Sequence, residues 1–271
     1  MSNITIESHT DKIKKFVKPY SKFSSYLAHI RVEFDQAKMK LLIIFFILLF
    51  NGSTSVISQV YLTDILKLAG FELKNPVQPN LFSFLLDFLG DTSIYVLIII
   101  LLGMGTFSSE LEVNKQVYFT LSRPISRAGY YFTRTLVFTI GIAFIVMVGS
   151  GIVYIYSILF FDPIAIEKMI LILLMVSLQY SAFYAIMIMF SARYNQTVAG
   201  VLGFLTLVSL IIVSILPPLK WFSFLALSSD WVKIFNNSIS SFDLGLDFLA
   251  LLIWILIPII IGWKMYIKRD L

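Results

Sequence analysis

The chain has 271 residues, of which 58% are hydrophobic and only 14% are charged, and its net charge is +5. Its mean hydropathy of +0.88 and its apolar content exceed those of soluble domains, where apolar residues make up about 45–50%. This composition excludes a soluble globular protein, and the lack of cysteine excludes a disulfide framework, a thiolate metal site and a cysteine nucleophile. The sequence therefore predicts an all-α integral membrane protein.

The first predicted element is an amphipathic helix within a leader that covers residues 1–38. Apolar side chains recur at spacings of three and four along it, at Tyr20, Phe23, Leu27, Ile30 and Phe34. This spacing is typical of a helix with one apolar stripe. We expect the helix to lie in the membrane interface, and packing on another protein is the alternative.

Residues 39–271 are predicted to form one transmembrane domain of six helices. Crossing the bilayer takes roughly 20 mainly apolar residues, and five segments meet this length clearly. A sixth and weaker segment, Thr92–Phe107, extends back through Leu81–Gly90. The five clear segments are Met39–Val60, Arg134–Phe160, Glu167–Ser191, Thr197–Leu216 and Leu246–Ile267.

The second half of the first span carries a row of polar side chains on one helical face. The row consists of Asn51, Ser55, Ser58 and Gln59. Polar groups inside a membrane need a partner or water. The face therefore either lines a pathway or joins helices through hydrogen bonds, and the sequence leaves both interpretations open.

Basic residues are distributed unequally between the two sides of the predicted topology. Only Lys67, Lys74, Lys168, Lys220 and Lys233, of 21 basic residues, fall on one side. The positive-inside rule then places both termini and the Ser108–Arg134 segment in the cytoplasm. Anionic lipid headgroups account for the positive charge, so no nucleic-acid partner is expected.

The connection between the last two spans is unusually apolar for a loop. Residues 217–245 include Pro217, Trp221, Phe222 and Trp231. Tryptophan is favoured at membrane interfaces, so we expect short re-entrant helices here, at the outer face. In the preceding span, Ala199 and Gly203 form a small-residue pair that favours close helix packing, within one chain or between two.

The Ser108–Arg134 segment is the one long polar and basic break between apolar segments. Its core, Leu121-Ser122-Arg123-Pro124-Ile125-Ser126-Arg127, follows Glu112 and precedes Arg134. This pattern resembles the cytoplasmic loop of the membrane subunits of ATP-binding cassette (ABC) transporters of the type-2 permease family. Lys115-Gln116 replaces the Gly-Thr pair typical of that family, and the tail Tyr266–Leu271 is also similar.

The resemblance implies an export-type permease whose energy comes from a partner. Glu110–Leu121 would form a coupling helix that docks on a separate ATPase subunit, which would hold ATP and Mg²⁺. Two permease chains, identical or different, would pair around a central pathway. The implied ATPase contacts are Glu112, Val117, Tyr118, Phe119, Leu121, Ser122, Arg123, Pro124 and Arg127.

This chain itself carries no recognisable catalytic or cofactor site. It lacks the G-x-x-x-x-G-K-[ST] loop that binds nucleotide phosphates, and only two histidines are present. An ion-gradient-driven secondary transporter is the alternative function, but it predicts charged residues near the middle of the spans. A segment that binds lipid headgroups alone is the alternative for Ser108–Arg134. The substrate stays open.

Overall fold

The computed structural model describes residues 22–69, 80–90, 92–108, 126–216, 219 and 222–268. The described residues form helices and turns, with no strand among them, which confirms the all-α prediction. In chain order the helices are α1 (Lys22–Leu68), α2 (Leu81–Gly90), α3 (Thr92–Met104), α4 (Arg127–Ser157), α5 (Ile166–Ser191), α6 (Gln196–Ser214), α7 (Phe224–Ser228), α8 (Trp231–Phe235) and α9 (Ser241–Ile267).

Five of these helices are long and apolar enough to cross a membrane. They are α1, α4, α5, α6 and α9, and each of the five clear apolar segments of the sequence falls on one of them. The short helices α7 and α8 lie inside the 217–245 segment, where short helices were expected. The chain is therefore a multi-pass membrane protein.

Polar side chains define where several helices begin. The side chains of Ser126, Asn195 and Ser240 accept hydrogen bonds from backbone amides three residues later, at 3.0, 2.9 and 3.1 Å. These N-caps satisfy amides that the helix itself leaves unpaired. As a result α4, α6 and α9 each start directly after a capping residue.

Helix α1 is continuous from the leader into the first span. Its 47 residues correspond to a length of about 70 Å, well beyond a bilayer of about 40–45 Å including headgroups. No break occurs in the described helix at residue 38, where the leader was expected to end. Of the predicted apolar stripe, the described side chains of Leu27, Ile30 and Phe34 are exposed, whereas His29 and Glu33 are buried.

Helices α1 and α4 run parallel and in close contact. Glycines of α4 allow this approach, because a Cβ at Gly129 would lie 2.7 Å from the Tyr26 ring and one at Gly141 would lie 2.8 Å from Leu41 Cδ1. Farther along, Gly149 faces Leu48. The contact pairs advance in the same direction along both helices, so α1 and α4 share one orientation.

Helix α5 forms the centre of the bundle. Of an 18-residue apolar stretch of α5, 78% of the residues are buried, against 22–39% for such stretches of the other four long helices. It contacts α3, α4, α6, α8 and α9. Met187 of α5 illustrates this, since a Cβ at Gly103 of α3 would lie 2.7 Å from its Cβ. The remaining long helices therefore present most of their surface to lipid.

The two ends of the bundle differ in charge. We call the end where α4 begins and α9 finishes the basic end; apart from Glu33 and Asp35, its described charged side chains are Arg31, Lys38, Lys40, Arg127, Arg134, Arg193, Lys264 and Lys268. We call the opposite end the acidic end; apart from Lys168 and Lys233, its described charged side chains are Asp87, Asp162, Glu167, Asp230, Asp243 and Asp247.

Candidate functional site

A buried ion pair joins the leader part of α1 to the first turns of α4. Arg134 Nη1 donates a hydrogen bond to Glu33 Oε2 at 3.0 Å. Their side chains are only 5% and 2% exposed. Charges removed from water in this way are strongly destabilising unless they are paired. The pair therefore holds α1 and α4 together at the basic end.

Further polar groups surround the Glu33–Arg134 pair. Tyr130 Oη accepts a hydrogen bond from Arg134 Nη1 at 3.1 Å, and Gln36 Oε1 lies 3.4 Å from the same nitrogen. His29 Nε2 lies 3.6 Å from Glu33 Oε1, and the His29 ring stacks on Tyr130 with centroids 5.3 Å apart. The leader part of α1 and the first two turns of α4 thus meet in one network.

Aromatic rings enclose the Arg134 guanidinium. Its central carbon lies 5.6 Å from the Phe107 ring centroid, 5.9 Å from that of Tyr130 and 5.7 Å from that of Phe138. Cations over ring faces are attracted by the ring quadrupole, and more strongly where water is excluded. The enclosure compensates part of the lost hydration of Arg134. We call Glu33, Arg134 and these rings the charge–aromatic cluster.

The charge–aromatic cluster extends to the last turns of α9. Phe107 packs on Tyr131 and on Tyr266, each with centroids 5.2 Å apart. Tyr131 Oη donates to the Ile259 carbonyl at 3.0 Å. Gly262 makes room for this contact, because a Cβ there would collide with the Tyr131 hydroxyl and would also lie 3.0 Å from Met189 Cα of α5. Helices α3, α4, α5 and α9 therefore converge at the basic end.

Hydrogen bonds hold the described residues on either side of 109–125. On the preceding side, the hydroxyls of Thr106 and Tyr184 are 2.9 Å apart, and Ser108 Oγ donates to the Met104 carbonyl at 2.5 Å. On the following side, Ser126 caps α4 and Arg127 is exposed at its first turn. The described residues that flank 109–125 are therefore held by hydrogen bonds on both sides.

Most residues predicted to contact an ATPase lie outside the described residues. Only Arg127 is described, and it is exposed at the start of α4. The contacts proposed for the others therefore stay predictions. The residues outside the described part of the chain are Glu112, Val117, Tyr118, Phe119, Leu121, Ser122, Arg123 and Pro124.

The predicted pathway residues Asn51, Ser55, Ser58 and Gln59 are half-buried or exposed on α1. Gln59 Nε2 donates a hydrogen bond to Asp87 Oδ2 of α2. Ser58 Oγ instead donates to the backbone carbonyl of Ser55 at 3.0 Å. The polar face thus contributes a contact between helices through Gln59, and its role in lining a pathway stays a prediction.

The small-residue pair of α6 packs within the chain. Ala199 and Gly203 are both buried, and Gly203 faces Met187 of α5 and Ile100 of α3. The adjacent Gly200 faces Met104, whose sulfur would lie 2.9 Å from a Cβ at that position. Of the two arrangements that the spacing left open, the structure shows the packing of helices in one chain.

The pairing of Glu33 with Arg134 was missed by the sequence reasoning. Arg134 stands at the start of an apolar span, and an arginine in that position needs an opposite charge nearby. Glu33 lies between the apolar positions Ile30 and Phe34 of the leader stripe, where helical periodicity predicts a residue on the polar face. The available signal was the need of Arg134 for a partner, but the sequence offers more than one acidic residue near the basic end.

Comparison with known proteins does not identify this chain. No protein-family model matches it. No curated protein matches it either.

Proposed function

We propose that this chain is the membrane-spanning permease subunit of an ABC transporter of the type-2 permease family. It exports a substrate with energy from ATP, which a separate subunit binds together with Mg²⁺ and hydrolyses. The chain itself is not an enzyme. Two permease chains form the complete pathway, and the sequence motif from Glu112 to Arg134 is the basis of the family assignment.

The observation that carries this proposal is the packing around Ser108 and Ser126, the described residues on either side of 109–125. Ser108 and Ser126 form hydrogen bonds with Met104 and Gly129, and the neighbouring Phe107 packs on Tyr131. A loop that transmits force needs such an attachment, because a rigid base converts movement of the loop into movement of helices. Glu33 and Arg134 would pass that movement to α1 and α4 together.

A sixth membrane crossing is part of the proposal. Helices α1 and α4 are parallel, so the chain between them must return across the membrane. Residues 81–107 are suited to this role: Phe84 packs on Phe161 at the acidic end, and Phe107 packs on Tyr131 at the basic end. The ring centroids of both pairs are 5.2–5.5 Å apart. Helices α2 and α3 would share this crossing, since neither is long enough alone.

The proposal places the basic end in the cytoplasm. The concentration of lysine and arginine at that end agrees with the positive-inside rule. Both termini and residues 109–125 then face the cytoplasm, where the ATPase subunit would dock. The leader part of α1, which continues beyond a bilayer's thickness, would lie at the same surface.

Single cysteines test this orientation, and the natural lack of cysteine provides the background. Ser122→Cys should react with an impermeant maleimide only after the membrane is opened. Ser241→Cys, at the exposed start of α9, should react in intact cells. Reaction of both cysteines from outside would reject the proposed topology.

Purification from native membranes tests the function itself. The tagged chain should bring with it a polypeptide that contains a G-x-x-x-x-G-K-[ST] motif and hydrolyses ATP. The hydrolysis should require Mg²⁺, because Mg²⁺ bridges nucleotide phosphates in such sites. Preparations that are monodisperse yet repeatedly free of any ATPase would contradict the proposal.

The alternative of a secondary transporter receives less support. Such proteins use ionisable residues near the middle of the membrane to bind the coupling ion. In α4 and α9 the buried ionisable residues Arg134 and Asp247 lie within the first two turns. The middle thirds of α4, α5, α6 and α9, and residues 41–60 of α1, carry no Asp, Glu, Lys, Arg or His. These residues therefore support a permease driven by a separate ATPase subunit better than one driven by an ion gradient.

A further inference from the structure

A cleft of about 830 Å³ opens at the acidic end of the bundle. It lies between the start of α2, the connection from α4 to α5 and the end of α8. The volume falls within the range of about 300–1,000 Å³ that is typical of small-molecule sites. The cleft lies at the opposite end from residues 109–125, so its role is independent of the proposed ATPase partner.

Aromatic side chains form part of the cleft wall, and Trp231 packs behind one of them. Phe82 lies 5.2 Å from Phe235 and 6.1 Å from Trp231, measured between ring centroids. Phe160 also lines the cleft and is 39% exposed, so part of its ring remains free for a ligand. These rings provide an apolar wall that contacts water in the absence of a ligand.

The backbone around the cleft is held in place by Tyr154. Its hydroxyl donates to the Ile164 carbonyl at 3.1 Å and accepts from the Ile164 amide at 3.2 Å. Beneath the connection, Phe161 is buried and packs on Phe84 with centroids 5.5 Å apart. The α4–α5 connection is therefore braced from two sides, and the cleft is formed before a ligand arrives.

The charge at the cleft is negative. Asp162 lines it and is exposed, and it makes no ion pair with any basic side chain of the described residues. The other polar side chains in the lining, Asn80 and Asn236, carry amides without charge. Asn80 Oδ1 already accepts the Ser83 amide at 2.7 Å. A carboxylate is thus left facing the cleft beside the aromatic wall.

We infer that this cleft binds an organic cation with an apolar or aromatic body. The Asp162 carboxylate pairs with the cationic group, and the rings of Phe82 and Phe160 contact the apolar body and attract the cation through their faces. An anionic ligand would be repelled by Asp162 and by the other acidic side chains at this end. A bare metal ion would need several carboxylate or imidazole ligands, and the described residues contain no such group.

Binding of a matched pair of dyes tests the inference. The purified full-length chain in detergent is titrated with dansylcadaverine, a dansyl group bearing an amine, and with dansylglycine, the same group bearing a carboxylate. We expect saturable binding of the amine and at least tenfold weaker binding of the acid. Asp162→Asn should weaken amine binding by roughly tenfold, the effect of about 1.4 kcal/mol.

Two controls distinguish binding in the cleft from general electrostatic attraction and from partition of the dye into the detergent micelle. Glu167→Gln removes an exposed carboxylate at the same end but outside the cleft lining, and it should leave amine binding unchanged. A cysteine introduced at Asn236 should react with maleimide and be protected by the amine dye, whereas Ser241→Cys should react equally with and without dye.

Some results would overturn the inference. Equal binding of both dyes would show partition into the micelle, and unchanged amine binding in a monodisperse Asp162→Asn variant would show that the carboxylate is not the cation partner. Failure of dansylcadaverine to protect the cysteine at position 236 would place the amine elsewhere. None of these results bears on the ATPase partner, whose presence is measured separately.

Discussion

Replacing Arg134 with methionine lowers the free energy of unfolding by about 3–5 kcal/mol, the usual cost of breaking a buried ion pair. Methionine retains much of the side-chain stem but removes the guanidinium that donates a hydrogen bond to the buried Glu33 carboxylate. Glu33 is 2% exposed, so water cannot compensate. The change is measured by unfolding in mixed micelles, followed by tryptophan fluorescence.

An exposed ion pair on α1, the helix that carries Glu33, provides the matched control. Lys38 and Asp35 are 2.9 Å apart, but their side chains are 57% and 58% exposed. Exposed pairs of this kind contribute about 0–1 kcal/mol. Lys38→Met should therefore change the unfolding free energy by less than about 1 kcal/mol.

A double substitution distinguishes loss of the ion pair from loss of packing. In Glu33→Gln/Arg134→Met both charges are removed, so no unpaired charge stays buried. This variant should be less destabilised than the sum of the two single variants, with a coupling energy within the range of about 0.5–3 kcal/mol found for contacting residues. Additive effects, or an Arg134→Met variant as stable as the parent, would show that the pair does not hold α1 to α4.

Replacing Tyr118 and Phe119 with alanine weakens capture of the ATPase subunit by roughly thirtyfold or more. Truncating an aromatic anchor at the centre of an interface commonly costs about 2 kcal/mol or more, which corresponds to that factor. The measurement is the amount of ATPase that copurifies at increasing dilution. Arg123→Glu should retain some binding but disturb orientation, because charged residues at an interface set its register.

The control for this pair of substitutions lies at the opposite end of the bundle. Phe242 is 74% exposed at the start of α9, so Phe242→Ala removes an accessible aromatic ring without touching residues 109–125. It should copurify with the ATPase as the parent does. Normal capture by the Tyr118→Ala/Phe119→Ala variant would show that the basic segment is not the docking site.

Hydropathy was sufficient to predict the long helices. A membrane span must satisfy its backbone hydrogen bonds internally and have a fixed minimum length, and both requirements are visible in a single segment. The proposed return crossing at residues 81–107 gives a weaker signal, because these residues are divided between α2 and α3. The proposal rests on contacts such as Phe84 with Phe161 and Phe107 with Tyr131.

The candidate site was less predictable because its parts are far apart in the sequence. Glu33 and Arg134 are separated by about a hundred residues, and helical periodicity relates only residues within one helix. The same limit explains why the packing of the leader was not predicted. Its apolar spacing is visible in the sequence, but the burial of His29 and Glu33 depends on contact with another helix, α4. Likewise, the spacing of Ala199 and Gly203 predicted close packing without identifying Met187 as the neighbour.

Site-specific crosslinking from the basic segment tests the proposed function most directly. Phe119 is replaced with p-benzoylphenylalanine, native membranes are irradiated, and the crosslinked product is identified by mass spectrometry. We predict a covalent product between this chain and an ATPase subunit that carries a G-x-x-x-x-G-K-[ST] motif. A crosslink to lipid alone, in membranes where the chain is folded and correctly oriented, would contradict the assignment of this protein as an ABC permease.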